Sequence, residues 1–191
     1  MFYKKILYQP FKSSIVIIFL CGLSGAGKTT LSDYVKEKLA NENIAVEVID
    51  ADKYRLNLYP DLGFSKQDRI ENIRRLGFLA DQFSAYHIIP IVCSITPYEE
   101  MRTEMIKKYK DVKVIHIDCP LNCLIKRDTK GLYKRAFLPE ENPLKISNLS
   151  GVNDPFEVPS KPDLYINTYQ HTIKQSANSL YSFIKKHNIK N

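Results

Sequence analysis

The sequence predicts an α/β fold, a predominantly parallel five-stranded sheet flanked by helices, from three observations. An apolar, β-branched run, Ile15 to Cys21, leads straight into a glycine-rich loop; an amphipathic helix follows the loop; and four further strand-like runs alternate with helical ones. A length of 191 residues suits a single domain over 1–191. With 44% hydrophobic and 26% charged residues, neither a disordered nor a fibrous chain is indicated.

The first strand is continuously apolar, as expected of a central parallel strand buried on both faces. The stretch after it, Gly22-Leu-Ser-Gly-Ala-Gly-Lys28-Thr29-Thr30, fits the phosphate-binding pattern G-x-x-x-x-G-K-[ST]. Strand, loop and helix stand in the order that pattern requires, which specifies a P-loop NTPase fold. Gly22, Ser24, Gly25, Ala26 and Gly27 let backbone N–H groups converge on phosphate oxygens, and the helix that Lys28, Thr29 and Thr30 open adds its positive end. Lys28 would neutralise the β and γ phosphates, and the Thr29 hydroxyl would ligate Mg²⁺. Leu31, Tyr34, Val35 and Leu39 give that helix its apolar face.

Ile44 to Ile49 reads as a second strand ending at Asp50-Ala-Asp52, which places two carboxylates at the ligand-binding end of the sheet. Lys53 to Phe64 reads as irregular because of Pro60 and Gly63. Ser65 to Asp68 has the form of a capping box, opening a helix that turns Ile70, Ile73, Leu76, Ala80 and Phe83 inward and ends near His87. A third strand spans Ile88 to Ile95, with Pro90 required to sit where no ladder N–H is needed. Tyr98 to Tyr109 is helical, Val112 to Ile117 a fourth strand, and Leu121 to Arg127 a short helix. The segment 128–162 holds five of the ten prolines and little periodicity, which predicts a long functional loop, a mobile lid. Asp163 to Thr168 forms the fifth strand, and a last helix buries Ile173, Ala177, Leu180 and Ile184.

The net charge of +7 is spread along the chain, with Lys4, Lys5, Lys12, Lys185, Lys186 and Lys190 near the ends. Scattered lysine is a solvated surface or suits two polyanionic nucleotides, and does not single out nucleic acid. Cys21, Cys93, Cys119 and Cys123 form no C-x-x-C pair and no histidines cluster, so neither zinc nor a disulfide framework is indicated and a reducing cytoplasm fits. Lys4-Lys5 followed by the apolar run imitates a signal peptide, but cleavage there would sever the first strand from its loop. The run is also too short to span a bilayer.

A phosphate loop alone does not separate a switch GTPase, a motor ATPase and a small kinase. No N-K-x-D base-reading motif occurs, and Asp118 after the fourth strand is a weak Walker B candidate. A small domain with a long segment late in the chain suits a nucleotide kinase, whose lid excludes water.

Several stretches in one order carry a family resemblance: Gly22 to Thr29; Asp50-Ala-Asp52 with Arg55; Asp61-Leu-Gly-Phe64; Asp68-Arg69 with Asn72, Arg74 and Arg75; Thr96-Pro-Tyr98; Arg127 with Lys130-Gly-Leu-Tyr133; and Gly151 to Glu157. From about Ile15 to Thr168 the chain resembles adenylylsulfate (APS) kinases. The resemblance implies transfer of the γ-phosphoryl group of ATP to the ribose 3′-hydroxyl of a second nucleotide, giving 3′-phosphoadenylylsulfate when the acceptor is APS. It implies that Asp52 accepts the proton, with Asp50 as its partner or a ligand to metal-bound water. Arg55, Phe64, Arg69 and Asn72 would hold the acceptor, Lys130 would belong to the lid, and Arg127 would lie at its hinge against the donor adenine. Without the resemblance, Arg69 and Arg74 would be exposed helix charges. Homodimers are implied by the resemblance only.

The departures fall on the acceptor and lid side. Leu56 and Asn57 stand where the family has a basic or polar residue and then glycine, and Pro60 replaces a polar position. Thr96 replaces a serine reported as phosphorylated in many bacterial members. The lid carries extra material at Phe137 to Pro143. A related branch that phosphorylates cytidine diphosphoramidate during surface-polysaccharide assembly is the alternative acceptor reading. A non-catalytic nucleotide-binding regulator is the alternative of another class, against which the Lys28, Thr29 and carboxylate set counts.

Overall fold

A computed structural model describes residues 15–188; Lys4, Lys5, Lys12 and Lys190 lie outside them, as does the start of the signal-peptide-like run. Ile17–Cys21 forms β1, buried at every position. Alternate side chains serve opposite faces, as the period of two in a strand requires. Ile18 and Leu20 join the core under α1 (Lys28–Ala40) and α7 (Ile173–Asn188), where Leu31, Val35, Leu39, Ala177, Leu180 and Ile184 are buried. Ile17 and Phe19 join a second core under α3 (Lys66–Ala85) and α4 (Glu99–Lys108), with Ile73, Leu76, Ala80, Met101 and Met105. Tyr34, Ile70 and Phe83 are only partly buried at the margins of these clusters.

The other strands are β2 (Val46–Asp50), β3 (Ile89–Cys93), β4 (Val112–Asp118) and β5 (Leu164–Asn167). All pair in parallel, in the order β2-β3-β1-β4-β5. Chain order and spatial order part company around β1, so the loops after β1, β2 and β3 open into one crevice. Pro90 is tolerated in the interior strand β3 for a local reason. The Ile89 N–H donates to Ala45 O on the β2 side, so the Pro90 nitrogen faces β1, where pairing begins one residue later at Ile91.

Three elements differ from the sequence expectation. The stretch after β2 is helical: Ala51–Leu58 forms α2 because Asp50 caps it, accepting from Asp52 N at 3.0 Å and Lys53 N at 3.2 Å, and Pro60 falls beyond its end. The segment 128–162 contains the helix α6 (Leu132–Ala136) after α5 (Leu121–Arg127), capped by the Asp128 carboxylate through Tyr133 N and Lys134 N. Ile173 is 58% exposed and does not join the core. The capping box at Ser65 and Asp68 is present in both directions.

The segment 128–162, expected from the sequence to be a mobile lid, is tied down at several points. The buried Tyr133 hydroxyl donates to Ser24 O at 2.8 Å, Arg69 donates to Asn148 O at 2.6 Å, and Glu157 N donates to Pro97 O at 2.7 Å. Arg102, 1% exposed, donates to Thr96 O and Glu157 O and pairs with Glu99. Among the described residues no helix is long and apolar enough to cross a membrane, and all four cysteines are free thiols.

Candidate active site

The phosphate loop is built by close approach. At Gly22, with φ +150, a Cβ would stand 2.1 Å from Ile117 O, so only glycine lets β1 turn here. Gly25 and Gly27 also take positive φ, which turns successive N–H groups toward one concavity. Lys28 folds back over the loop, its ammonium donating to Gly22 O at 2.8 Å and Leu23 O at 2.9 Å. Burial of that ammonium lowers its pKa to about 8, against the opposing pull of Cys93 and Asp52.

One open cleft gathers Ser24, Gly25, Gly27, Lys28, Thr29 and Thr30 with Asp50, Asp52, Arg55, Phe64, Arg69, Asn72 and Lys130. These are the sequence-predicted residues, brought together from five separate segments. Gly22 and Ala26 do not line it. Gly22 lies beneath the loop, and Ala26, with Arg127, borders a second cleft formed with Gly25, Gly27, Thr30, Thr168, His171 and Ile173.

The two carboxylates have different surroundings. Asp50 is engaged at both oxygens: Oδ1 caps α2, and Oδ2 accepts from the Thr29 hydroxyl at 2.6 Å. Asp52, in the first turn of α2, projects into the cleft, with its Oδ2 2.5 Å from Lys130 Nζ. Burial, the largest single influence on Lys130, acts to lower its pKa, but the hydrogen bond it donates to Asp52 and the negative charges of Asp52 and Asp50 together hold the lysine above its ordinary value.

The far wall is aromatic and cationic. Phe64 is 52% exposed, with the Arg55 guanidinium 4.8 Å and that of Arg69 5.8 Å from its ring centre. Arg55 also donates to Leu62 O and Gly63 O, and desolvation, then the Arg69 charge, lower its pKa. Arg69 is buried, donating to Phe64 O and lying 3.6 Å from Asp154, so it is not the surface charge expected from spacing alone. Arg74 is exposed and paired with Glu71. Asn72 is 3% exposed and its Oδ1 has no hydrogen-bond partner; the same holds for Thr96 Oγ1, 1% exposed, in the same cleft. Buried polar atoms without partners are costly, so two of them facing one cleft mark a place for a polar ligand.

Sequence reasoning missed Ser94 and Ile95, Thr129, and the group Thr168, His171 and Ser176. The first two follow β3 at its carboxyl end, a position the predicted strand order could have pointed to. Thr172 and Gln175 form a capping pair that flags the last group. Asp118, the Walker B candidate, lines neither cleft and accepts from the Tyr165 hydroxyl at 2.7 Å.

Residues 14–167 match the family described as adenylylsulphate kinase. An adenylyl-sulfate kinase of Microcystis aeruginosa is 39% identical over 167 residues, 87% of this chain and 90% of the relative. One from Clostridium acetobutylicum is 36% identical over 93% of this chain and 87% of the relative. Among solved structures, the APS kinase of Mycobacterium tuberculosis in complex with AMPPNP and APS superposes with a TM-score of 0.84 at 31% identity, covering 90% of this chain and 98% of that one. A gluconokinase from Sinorhizobium meliloti, at 12% identity and a TM-score of 0.60, shares the fold alone.

Proposed function

Because this chain belongs to the adenylylsulphate kinase family, we propose that it transfers the γ-phosphoryl group of ATP to the ribose 3′-hydroxyl of adenylylsulfate, yielding ADP and 3′-phosphoadenylylsulfate. The observation that carries this reading is the division between the carboxylates. Asp50 is spent on Thr29 and the α2 cap, whereas Asp52 faces the cleft between the phosphate loop and the Phe64, Arg69 and Asn72 wall.

In this reading the loop N–H groups and Lys28 hold the donor phosphates, and Lys28 offsets charge on the transferring group. The acceptor rests its base on Phe64, its anionic tail meets Arg55 and Arg69, and the free Asn72 Oδ1 accepts from a ligand N–H or O–H. The acceptor 3′-oxygen attacks the γ-phosphorus as the bond to the β–γ bridging oxygen breaks, and Asp52 takes the hydroxyl proton. Lys130 leaves its apo partner Asp52 and turns to phosphate oxygens. The adjacent Thr29 hydroxyl and Asp50 carboxylate are hard oxygen donors that fit Mg²⁺, with Thr29 as ligand and Asp50 through water. Bound there, Mg²⁺ would draw negative charge off the β and γ phosphates.

ADP release measured side by side with adenylylsulfate, cytidine diphosphoramidate and plain nucleoside diphosphates tests the assignment. Highest kcat/KM with adenylylsulfate is expected. Preference for cytidine diphosphoramidate would reassign the acceptor, and nucleotide binding without ADP formed from any acceptor would make the protein a regulator.

A further inference from the structure

The two clefts meet at a small set of shared residues. Gly25, Gly27 and Thr30 belong to the phosphate loop and the first turn of α1, and Thr129 faces them from the turn between α5 and α6. A Cβ added at Gly25 would stand 3.8 Å from Thr129 Oγ1, so the hydroxyl of this threonine is turned toward the loop. Thr129 is exposed, and its hydroxyl bonds to no group among the described residues.

The turn that carries Thr129 is held by the protein itself. Gly131 N donates to Asp128 O at 2.9 Å, closing a tight turn with Thr129 and Lys130 at its centre. The Asp128 carboxylate accepts from Tyr133 N and Lys134 N, and the Tyr133 hydroxyl donates to Ser24 O, next to Gly25. Loop and turn are thus tied to each other on either side of the gap that a phosphate chain would fill. Lys130, the next residue of the turn, reaches Asp52 at the end of the cleft where the transferred group lies. Thr129, one step back, stands over the phosphate behind that group.

We propose that the Thr129 hydroxyl donates a hydrogen bond to the β-phosphate of the donor nucleotide, from the side opposite the loop N–H groups. A hydroxyl donating to an ionised phosphate oxygen makes a charge-assisted bond, and a turn already tethered to Ser24 needs little ordering to make it. The assignment rests on the nucleotide donor proposed above and adds a contact that the loop pattern does not contain.

The test measures binding alone, by displacement of a fluorescent ADP analogue from wild type, Thr129→Val and Thr129→Ser. Valine keeps the shape and loses the hydroxyl, whereas serine keeps the hydroxyl. Thr129→Val should weaken ADP by about tenfold, the scale of one hydrogen bond to a charged group, and leave AMP, which has no β-phosphate, within about twofold. Thr129→Ser should hold ADP within about twofold of wild type. The side chain is exposed, so both variants should melt at the wild-type temperature. An undiminished affinity of Thr129→Val for ADP overturns the proposal, and so does an equal weakening of AMP. A loss in Thr129→Ser as large as that in Thr129→Val also overturns it, since the shape of the turn rather than the hydroxyl would then matter. Wild type that binds no ADP ends the donor reading and this contact together, whereas tight binding by wild type and valine variant alike removes this contact alone.

Discussion

Lys130 Nζ stands 2.5 Å from Asp52 Oδ2, joining two residues 78 apart in sequence and linking the turn between α5 and α6 to the first turn of α2. Both side chains are about half or more exposed, at 50% and 68%, so water and salt screen the pair and it can open when phosphates arrive. Asp52→Asn keeps the shape but cannot take a proton, and should lower kcat by on the order of 10²-fold or more. The ATP KM should stay within about twofold. Steady-state ADP release distinguishes this from a metal-holding role, in which donor affinity would fall instead.

Lys28 gives a pH dependence whose sign follows from its depressed pKa of about 8 in the free protein. Phosphate binds the ammonium form and raises that pKa, so donor affinity should fall as pH rises above about 8, by up to tenfold per unit. Calorimetric titration with a non-hydrolysable nucleotide between pH 7 and 9.5 should show the fall, with proton uptake on binding near pH 8. Without nucleotide, the unfolded chain holds this proton up to about 10.5 while the folded one releases it earlier, so this group makes folding more favourable as pH rises between the two. Lys28→Ala should abolish transfer and this pH dependence of binding.

Two glycines should be destabilised by alanine to very different extents. A Cβ at Gly22 meets Ile117 O at 2.1 Å, backbone that cannot yield, so Gly22→Ala should cost more than about 4 kcal/mol or prevent folding. At Gly131, with φ +66, a Cβ meets nothing within 4 Å, so Gly131→Ala should cost only the left-handed backbone penalty of about 1–2 kcal/mol. Denaturant titration of both variants reads the difference.

Arg102 is buried against Thr96 O and Glu157 O with Glu99 as its counter-charge, and it joins the loop after β3 to the end of the lid segment. Arg102→Leu leaves two carbonyls without their donor and should cost about 3 kcal/mol or more in a denaturant titration. Thr96, which takes φ +47 and lines the cleft, loses the guanidinium that pins its carbonyl. The acceptor KM should therefore rise more than the ATP KM.

Features encoded locally were legible in the residues. The apolar run before Gly22, the glycine spacing to Lys28 and the box at Ser65 and Asp68 depend on neighbours a few positions away, and all stand where the pattern put them. Reading α2 as irregular over-weighted Pro60 and Gly63, although the Asp50 cap that starts the helix was in view. The rest was a matter of distant partners. That Asp50 is consumed by Thr29 while Asp52 meets Lys130, that Arg69 is buried beneath the lid, and that Asn72, Thr96 and Ser176 keep unpaired polar atoms at two clefts required the assembled chain. The sequence by itself determined that a nucleotide's phosphates are bound and by which loop. Only the tertiary structure decided which carboxylate faces the cleft and which side chains line each cleft, because the sheet order β2-β3-β1-β4-β5 brings segments more than 70 residues apart within hydrogen-bonding reach.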